Sequence, residues 1–302
     1  MNKYLPHLAL LAANIIYGIN YAVAKDVMPN YIEPFGFILL RVLGALSLFW
    51  IFHICGNKEK IDRKDFPRLI VCGFFGVALN QLLFFKGLDI TSPINASIIM
   101  TSNPILVLLI SSFLLKERIS LTKGVGIGVG LIGACTLIFV SQSSNKFGFG
   151  NDTLWGDVMV MINAASYGVY LVIAKPLMIK YRPLTVIKWV FTFGLVFVFP
   201  VGISEFAAIQ WSAMPPKIVG EVAFVVIGTT FLAYLLNIYA LKKVNPSVVS
   251  IYLYLQPIIA TIVSISLGAD TLTTVKIVAT VFIFTSVYLV SKPNSKKHKK
   301  IH

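Results

Sequence analysis

The sequence predicts an all-α integral membrane protein: ten transmembrane helices forming two inverted five-helix repeats, with both termini in the cytoplasm. Three observations predict this fold class. Of 302 residues, 57% are hydrophobic and only 13% charged, about half the charged share of a soluble globular chain. Ten apolar runs, each long enough to cross ~30 Å of hydrocarbon as a helix, recur along the chain and leave no room for a soluble domain. The second half also repeats residues of the first. The same numbers exclude a cytosolic enzyme, a disulfide scaffold and a disordered chain. Cys55, Cys72 and Cys135 have no paired spacing and read as small core residues.

Each element follows from its local pattern. The first run, 6–24, has only Lys3 ahead of it and stays apolar through Val23, so it reads as a retained helix and not a cleaved signal. The second, 34–54, carries Arg41 near its middle, too deep to snorkel easily. The third is 66–85, and the fourth, 94–115, holds Pro104 at its centre. The fifth, 121–140, contains Gly128-Val129-Gly130-Leu131-Ile132-Gly133, which matches a dinucleotide fingerprint in letters only. It follows no strand and no acid stands where a ribose ligand belongs, so these glycines form a face for close helix packing. Ser141–Thr153 is polar and reads as a flexible connector, dividing residues 1–145 from 146–302. Beyond it lie 154–174, 185–206, 219–240, 248–267 with Pro257 near its middle, and 273–291.

The charges test this map. A net charge of +14 would suggest nucleic acid in a soluble protein, but here the basic residues sit in short loops between apolar runs and set orientation. Twenty Lys and Arg fall on one side of the ten-helix map and five on the other, with Arg41 inside a span. The basic side is cytoplasmic, which predicts a multi-pass protein of the inner cell membrane with both ends inside. Lys188, a turn inside the cytoplasmic end of its run, is expected to snorkel, and Lys296–Lys300 serves as an orientation signal.

The repeat appears as identities at fixed offsets. At a shift of 150, Tyr17, Gly18, Ala24, Lys25, Met28 and Tyr31 recur as Tyr167, Gly168, Ala174, Lys175, Met178 and Tyr181. At 153, Pro93, Ser97, Pro104 and Lys123 recur as Pro246, Ser250, Pro257 and Lys276, and Asn103 matches Gln256 in kind. Five helices per copy is odd, so the copies enter the membrane from opposite sides. Exchanging the conformations of two such halves is the physical basis of alternating access.

These features resemble the EamA-type members of the drug/metabolite transporter superfamily along essentially the whole chain. The residues that carry the resemblance are Arg41, Gln81-Leu82-Leu83-Phe84-Phe85-Lys86-Gly87-Leu88, Asn103-Pro104, Leu114-Leu115-Lys116-Glu117-Arg118 and Gln256-Pro257. The resemblance implies a central cavity between the halves and transport, often export, of small metabolites. The second copy departs from the pattern at Phe191, where Arg41 would recur, and at Gly268-Ala269-Asp270.

Candidate site residues follow from depth and helical spacing. Pro104 and Pro257 free the carbonyls of Met100 and Leu253 in mid-membrane, where protein or cavity water must satisfy them. Asn103 and Gln256 supply amides at the same depth. A cavity or a kink sealed by neighbouring helices would each answer that need, and paired interrupted helices favour the cavity. Asn14 and Tyr17 share a face with Tyr21, Asn163 with Tyr167 and Tyr170, Tyr234 with Asn237, Gln81 with Phe84, and Tyr252 with Gln256. Such stripes should face the bundle, as interhelical glue or as solute contacts. Together they suit a small amphipathic solute. Arg41 is a counter-ion for an anionic group or a structural tie to a carboxylate or a helix C-terminus. Glu33, Glu205, Glu221, Asp157 and Asp270 all lie at span ends, which disfavours a buried-carboxylate proton relay; Asp157, one turn into its helix, is the only candidate for a coupling proton.

The reading is therefore a secondary transporter, an exporter, of a small metabolite or amino-acid-like solute. Its partners are the lipid bilayer and that solute, with a coupling proton and a homodimeric partner as candidates and no nucleic acid. No catalytic residue, metal ligand or cofactor is assigned. A flippase for lipid or lipid-linked sugar shares the fold and is the alternative. A multipass enzyme is disfavoured, because His7, His53, His298 and His302 lie at ends or tails without metal-like spacing.

Overall fold

Proline marks where helices begin. Pro6, Pro67, Pro93, Pro183 and Pro216 each occupy a first-turn position, where the missing N–H would have had no helical partner. Ser92 adds a side-chain cap, accepting from Asn95 N at 3.2 Å. The structure is a computed structural model and describes residues 4–55, 59–115, 121–140, 152–243, 252–253, 255–268 and 270–291. The 145/146 boundary, residues 141–151 of the connector, Pro246 and Ser250 of the repeat, residues 116–118 of the family-like motif and Lys296–Lys300 lie outside the described residues.

The described residues form α1 (Leu5–Val27), α2 (Pro34–Cys55), α3 (Phe66–Gly73), α4 (Leu79–Ile90), α5 (Pro93–Met100), α6 (Asn103–Leu115), α7 (Leu121–Val140), α8 (Asp152–Lys180), α9 (Pro183–Ala207), α10 (Pro216–Ala223), α11 (Ala233–Lys243), α12 (Leu255–Ser266) and α13 (Thr274–Ser291). A π stretch, Phe74–Ala78, joins α3 to α4, and a longer one, Phe224–Leu232, joins α10 to α11. Seven helical stretches among the described residues are long and apolar enough to cross a membrane: Leu5–Val27, Pro34–Ile54, Arg63–Ile90, Pro93–Ile110, Thr153–Lys180, Pro183–Ala207 and Pro216–Lys243. Large apolar side chains such as Leu8, Ile51, Phe52, Val196, Ile262 and Val281 point outward, as a surface solvated by lipid requires.

Side-chain packing ties distant elements into one core. α2 lies along α9, α4 along α8, α1 along α11 and α12, α6 along α8, and α7 along α13. The two π stretches press into α9 and α2, and glycines admit them. A Cβ on Gly194 would stand 2.6 Å from Val77 Cβ, and one on Gly44 would stand 2.5 Å from Val226 Cγ1. Both glycines and both π starts, Phe74 and Phe224, are 150 residues apart.

Several boundaries differ from the sequence reading. The third element runs on to Ile90, because Lys86 and Asp89 pair within its last turn at 3.0 Å. The sixth runs on through Pro176 to Lys180; the proline falls near the end, where few helical bonds remain to be lost. The fourth is fully interrupted and not merely kinked. Thr101 N and Ser102 N turn to Ile98 O and Ile99 O at 3.0 and 2.9 Å, and α6 restarts at Asn103. Lys188 does not snorkel. It is 2% exposed and lies over the Trp50 ring at 4.2 Å, where the aromatic face takes up the charge.

A candidate solute-binding site at the centre of the bundle

Where the helices part, a cavity of about 90 Å³ opens between α1, α2, α4, α5, α8, α11, α12 and the π stretch that leads into α11. It is built where the backbone departs from regular α geometry. The π stretch before α4 releases Phe75 O to Ser166 Oγ at 2.6 Å, and Asn80 O to Asn163 Nδ2 at 2.6 Å. The second π stretch lets Thr230 Oγ1 donate to Val225 O at 2.8 Å, leaving its lone pair for Arg41 Nε, also at 2.8 Å. Wide turns of this kind re-aim side chains and recur at functional positions.

Nine of the polar and aromatic residues singled out in the sequence line the cavity: Tyr17, Tyr21, Arg41, Gln81, Phe84, Asn163, Tyr167, Tyr234 and Gln256. Arg41 is 3% exposed, and its guanidinium carbon sits 4.0 Å from the centre of the Phe85 ring. Among the described residues it forms no ion pair, and its Nη1 has no hydrogen-bond partner. Gln81 Nε2 points to Tyr234 Oη at 3.4 Å, and Tyr234 meets Tyr17 and Phe191 edge-on. Gln256 is anchored from two sides: its Oε1 accepts from Tyr21 Oη at 3.0 Å, and its Nε2 donates to Asn14 Oδ1 at 2.8 Å.

The remaining predicted residues stand off the cavity wall. Asn14 holds Gln256 and donates to Leu10 O at 2.8 Å. Asn103 donates to Ala164 O at 2.8 Å, tying α6 to α8. Tyr170 packs over Gly76, whose Cβ would meet the ring at 2.4 Å. Asn237 sits beside the Tyr17 hydroxyl. Tyr252 contacts His7 Nδ1 at 2.9 Å near the bundle's edge. Pro104 and Pro257 themselves are not on the wall, but Met100 and Leu253, four residues before each, are. The Leu253 carbonyl accepts from Gln256 N at 3.1 Å.

Asn20, Asn80, Phe85 and Thr229 also line the cavity and were missed. Asn20 had a signal, lying three residues beyond Tyr17 on the same helical face. Thr229 had none, because its position depends on the π stretch. Five wall groups are buried and lack a hydrogen-bond partner: Asn20 Oδ1, Arg41 Nη1, Gln81 Oε1, Asn163 Oδ1 and Thr229 Oγ1. Among the described residues no cluster of three His, Cys, Asp or Glu gathers at a metal's distance.

A multi-span helical bundle around a central, sparsely polar cavity defines a membrane protein built to hold a small solute. The chain belongs to the EamA-like transporter family, whose model matches residues 5–139 and again residues 154–292. An uncharacterized transporter of Archaeoglobus fulgidus is 26% identical over 86% of this chain and 90% of its own. The uncharacterized transporter YyaM of Bacillus subtilis is 25% identical over 98% of both chains. A solved crystal structure superposes with a TM-score of 0.65, covering 96% of this chain and 97% of its own at 16% identity, a likeness of fold alone.

Proposed function

We propose that the protein is a secondary transporter that exports a small amino-acid-like solute by alternating access, with Arg41 as the counter-ion of the solute's carboxylate. The observation that carries this reading is the set of buried, unpartnered groups on one cavity. It comprises one cationic donor, Arg41 Nη1, three amide oxygens, on Asn20, Gln81 and Asn163, and the Thr229 hydroxyl. A buried polar atom left unpaired costs ~1–3 kcal/mol. A zwitterion answers the whole set, its carboxylate toward Arg41 and its ammonium toward the oxygens, while Phe84, Phe85 and the tyrosines cover its apolar part. A structural tie from Arg41 to a carboxylate is disfavoured, since no described carboxylate pairs with it.

The reading takes the chain as ten membrane-crossing helices in two inverted repeats, both termini cytoplasmic, in the inner cell membrane. Three facts support the repeat. The family model matches each half separately. The π stretches begin 150 residues apart. Exchanging the halves also maps packing contacts onto one another: α4 on α8 with α11 on α1, and α6 on α8 with α12 on α1. Asn103 to Ala164 O and Gln256 to Asn14 are a matching pair of cross-ties. The export direction rests on the family resemblance.

Thermal unfolding of the purified protein tests the solute class, because a ligand that binds only the folded state raises the melting temperature. Amino acids with apolar or aromatic side chains should raise it, and their methyl esters and deaminated acids should not. Equal stabilisation by an amino acid and its methyl ester would remove Arg41 from its role.

A further inference from the structure

A second buried polar cluster lies away from the cavity, where α1 and α4 end and α5, α8 and α13 begin. Backbones there are in contact. A Cβ on Gly156 would meet Gly87 O at 2.8 Å and Thr91 N at 2.9 Å. Lys25 Nζ reaches Leu88 O at 2.9 Å and also Asp89 O. Asp270 Oδ2 accepts from Ile94 N at 3.0 Å, tying the turn after α12 to the start of α5. This end of the bundle is closed.

Inside the closure sits Asp157, which is fully buried. Thr91 Oγ1 donates to its Oδ1, while its Oδ2 has no hydrogen-bond partner. Asn95 lies beside the same carboxylate, and its own Oδ1 is likewise buried and unpartnered. The charged group facing Asp157 from α13 is Lys276, already committed to Asp270 Oδ1 at 2.6 Å and Thr271 O at 2.8 Å. At the end of α4, Lys86 pairs with Asp89 at 3.0 Å, and Lys25 from α1 is taken up by carbonyls. α5 offers Ser92 and Asn95 but no charge. Asp157 is thus a buried carboxylate with no ion pair among the described residues, beside an amide oxygen that also lacks a donor.

One proton bound to Oδ2 resolves this, because it removes the buried, unpaired charge. We infer that Asp157 is a proton-binding site that latches this end of the transporter, which closes over the neutral carboxyl and opens when the carboxyl ionises. The proton comes from the water that floods the open end and returns to it on opening. The inference rests on the transporter reading, and on the proposed orientation for placing the latch at the outer face. A proton favouring the closed form makes closure tighten as pH falls. Between the midpoint of the open form and the higher midpoint of the closed form, the ratio of closed to open should drop about tenfold per pH unit.

The test uses full-length protein in lipid nanodiscs, with Cys55, Cys72 and Cys135 replaced and spin labels at Thr153→Cys and Leu272→Cys, both exposed positions flanking the cluster. Interspin distances measured from pH 5 to pH 9 should show one short population at low pH and a longer one that grows as pH rises. Asp157→Asn, which keeps the shape and cannot ionise, should hold the short population throughout, and Asp157→Glu should restore the titration. A distance distribution in the otherwise unaltered protein that does not change with pH overturns the latch, whether or not the variants fold. So does an Asn variant that titrates like its parent. Distances report the latch without any solute, so its failure is distinct from failure of the amino-acid reading.

Discussion

An arginine placed at the centre of a membrane helix costs roughly 2.5–3.5 kcal/mol on insertion scales. At Arg41 the Thr230 hydroxyl and the Phe85 ring offset part of that cost, and Nη1 is left for a ligand. Arg41→Gln keeps a polar head near the cavity but loses the charge. Charged hydrogen bonds are worth ~1.5–3 kcal/mol, so affinity for a carboxylate solute should fall by about 10- to 150-fold in a binding titration, with the fold intact. Asn103 separates two roles that spacing alone could not. Its amide donates to Ala164 O, so Asn103→Ala should lower the melting temperature and leave the affinity of the folded protein close to unchanged. Asn163, read from a polar stripe on its own helix, does reach the cavity. Sequence told that both residues face protein, but not whether that protein was a neighbouring helix or the rim of a space.

At the scale of elements, the apolar runs were legible because lipid demands about 20 apolar residues per crossing and punishes exceptions. Pro104 and Pro257 marked the two disturbed helices, and Met100 and Leu253 duly lie on the cavity wall. The π stretches left no trace in the pattern. Phe74–Ala78 and Phe224–Leu232 contain no proline, and the hydrophobic period barely changes across one widened turn. Their signature is instead in their neighbours, at Gly44 and Gly194. Gly194→Ala would force a methyl into Val77 at 2.6 Å from Cβ and Cγ1 alike, whereas the Gly44 contact is a single methyl tip, Val226 Cγ1. Overpacking of this kind costs ~1–3 kcal/mol. Thermal unfolding should therefore show Gly194→Ala as the more destabilised of the two variants.

For the whole molecule, the asymmetry of Lys and Arg and the offsets of 150 and 153 carry the proposed topology. The central cavity was legible only indirectly, from the paired prolines and the family resemblance, because emptiness has no residue of its own. The proposed orientation can be read directly. A membrane-impermeant thiol reagent applied to intact cells should label cysteine at Tyr31 or Thr271, and label cysteine at Arg63 only after the membrane is opened. The reverse pattern would invert the molecule.

Counterflow in proteoliposomes tests the central claim most directly. Vesicles loaded with an unlabelled amino acid should transiently concentrate the same labelled amino acid above its external level, and vesicles carrying folded Arg41→Gln should not. Absence of counterflow across the amino acids that stabilise the protein, or undiminished counterflow in the Arg41 variant, would contradict it.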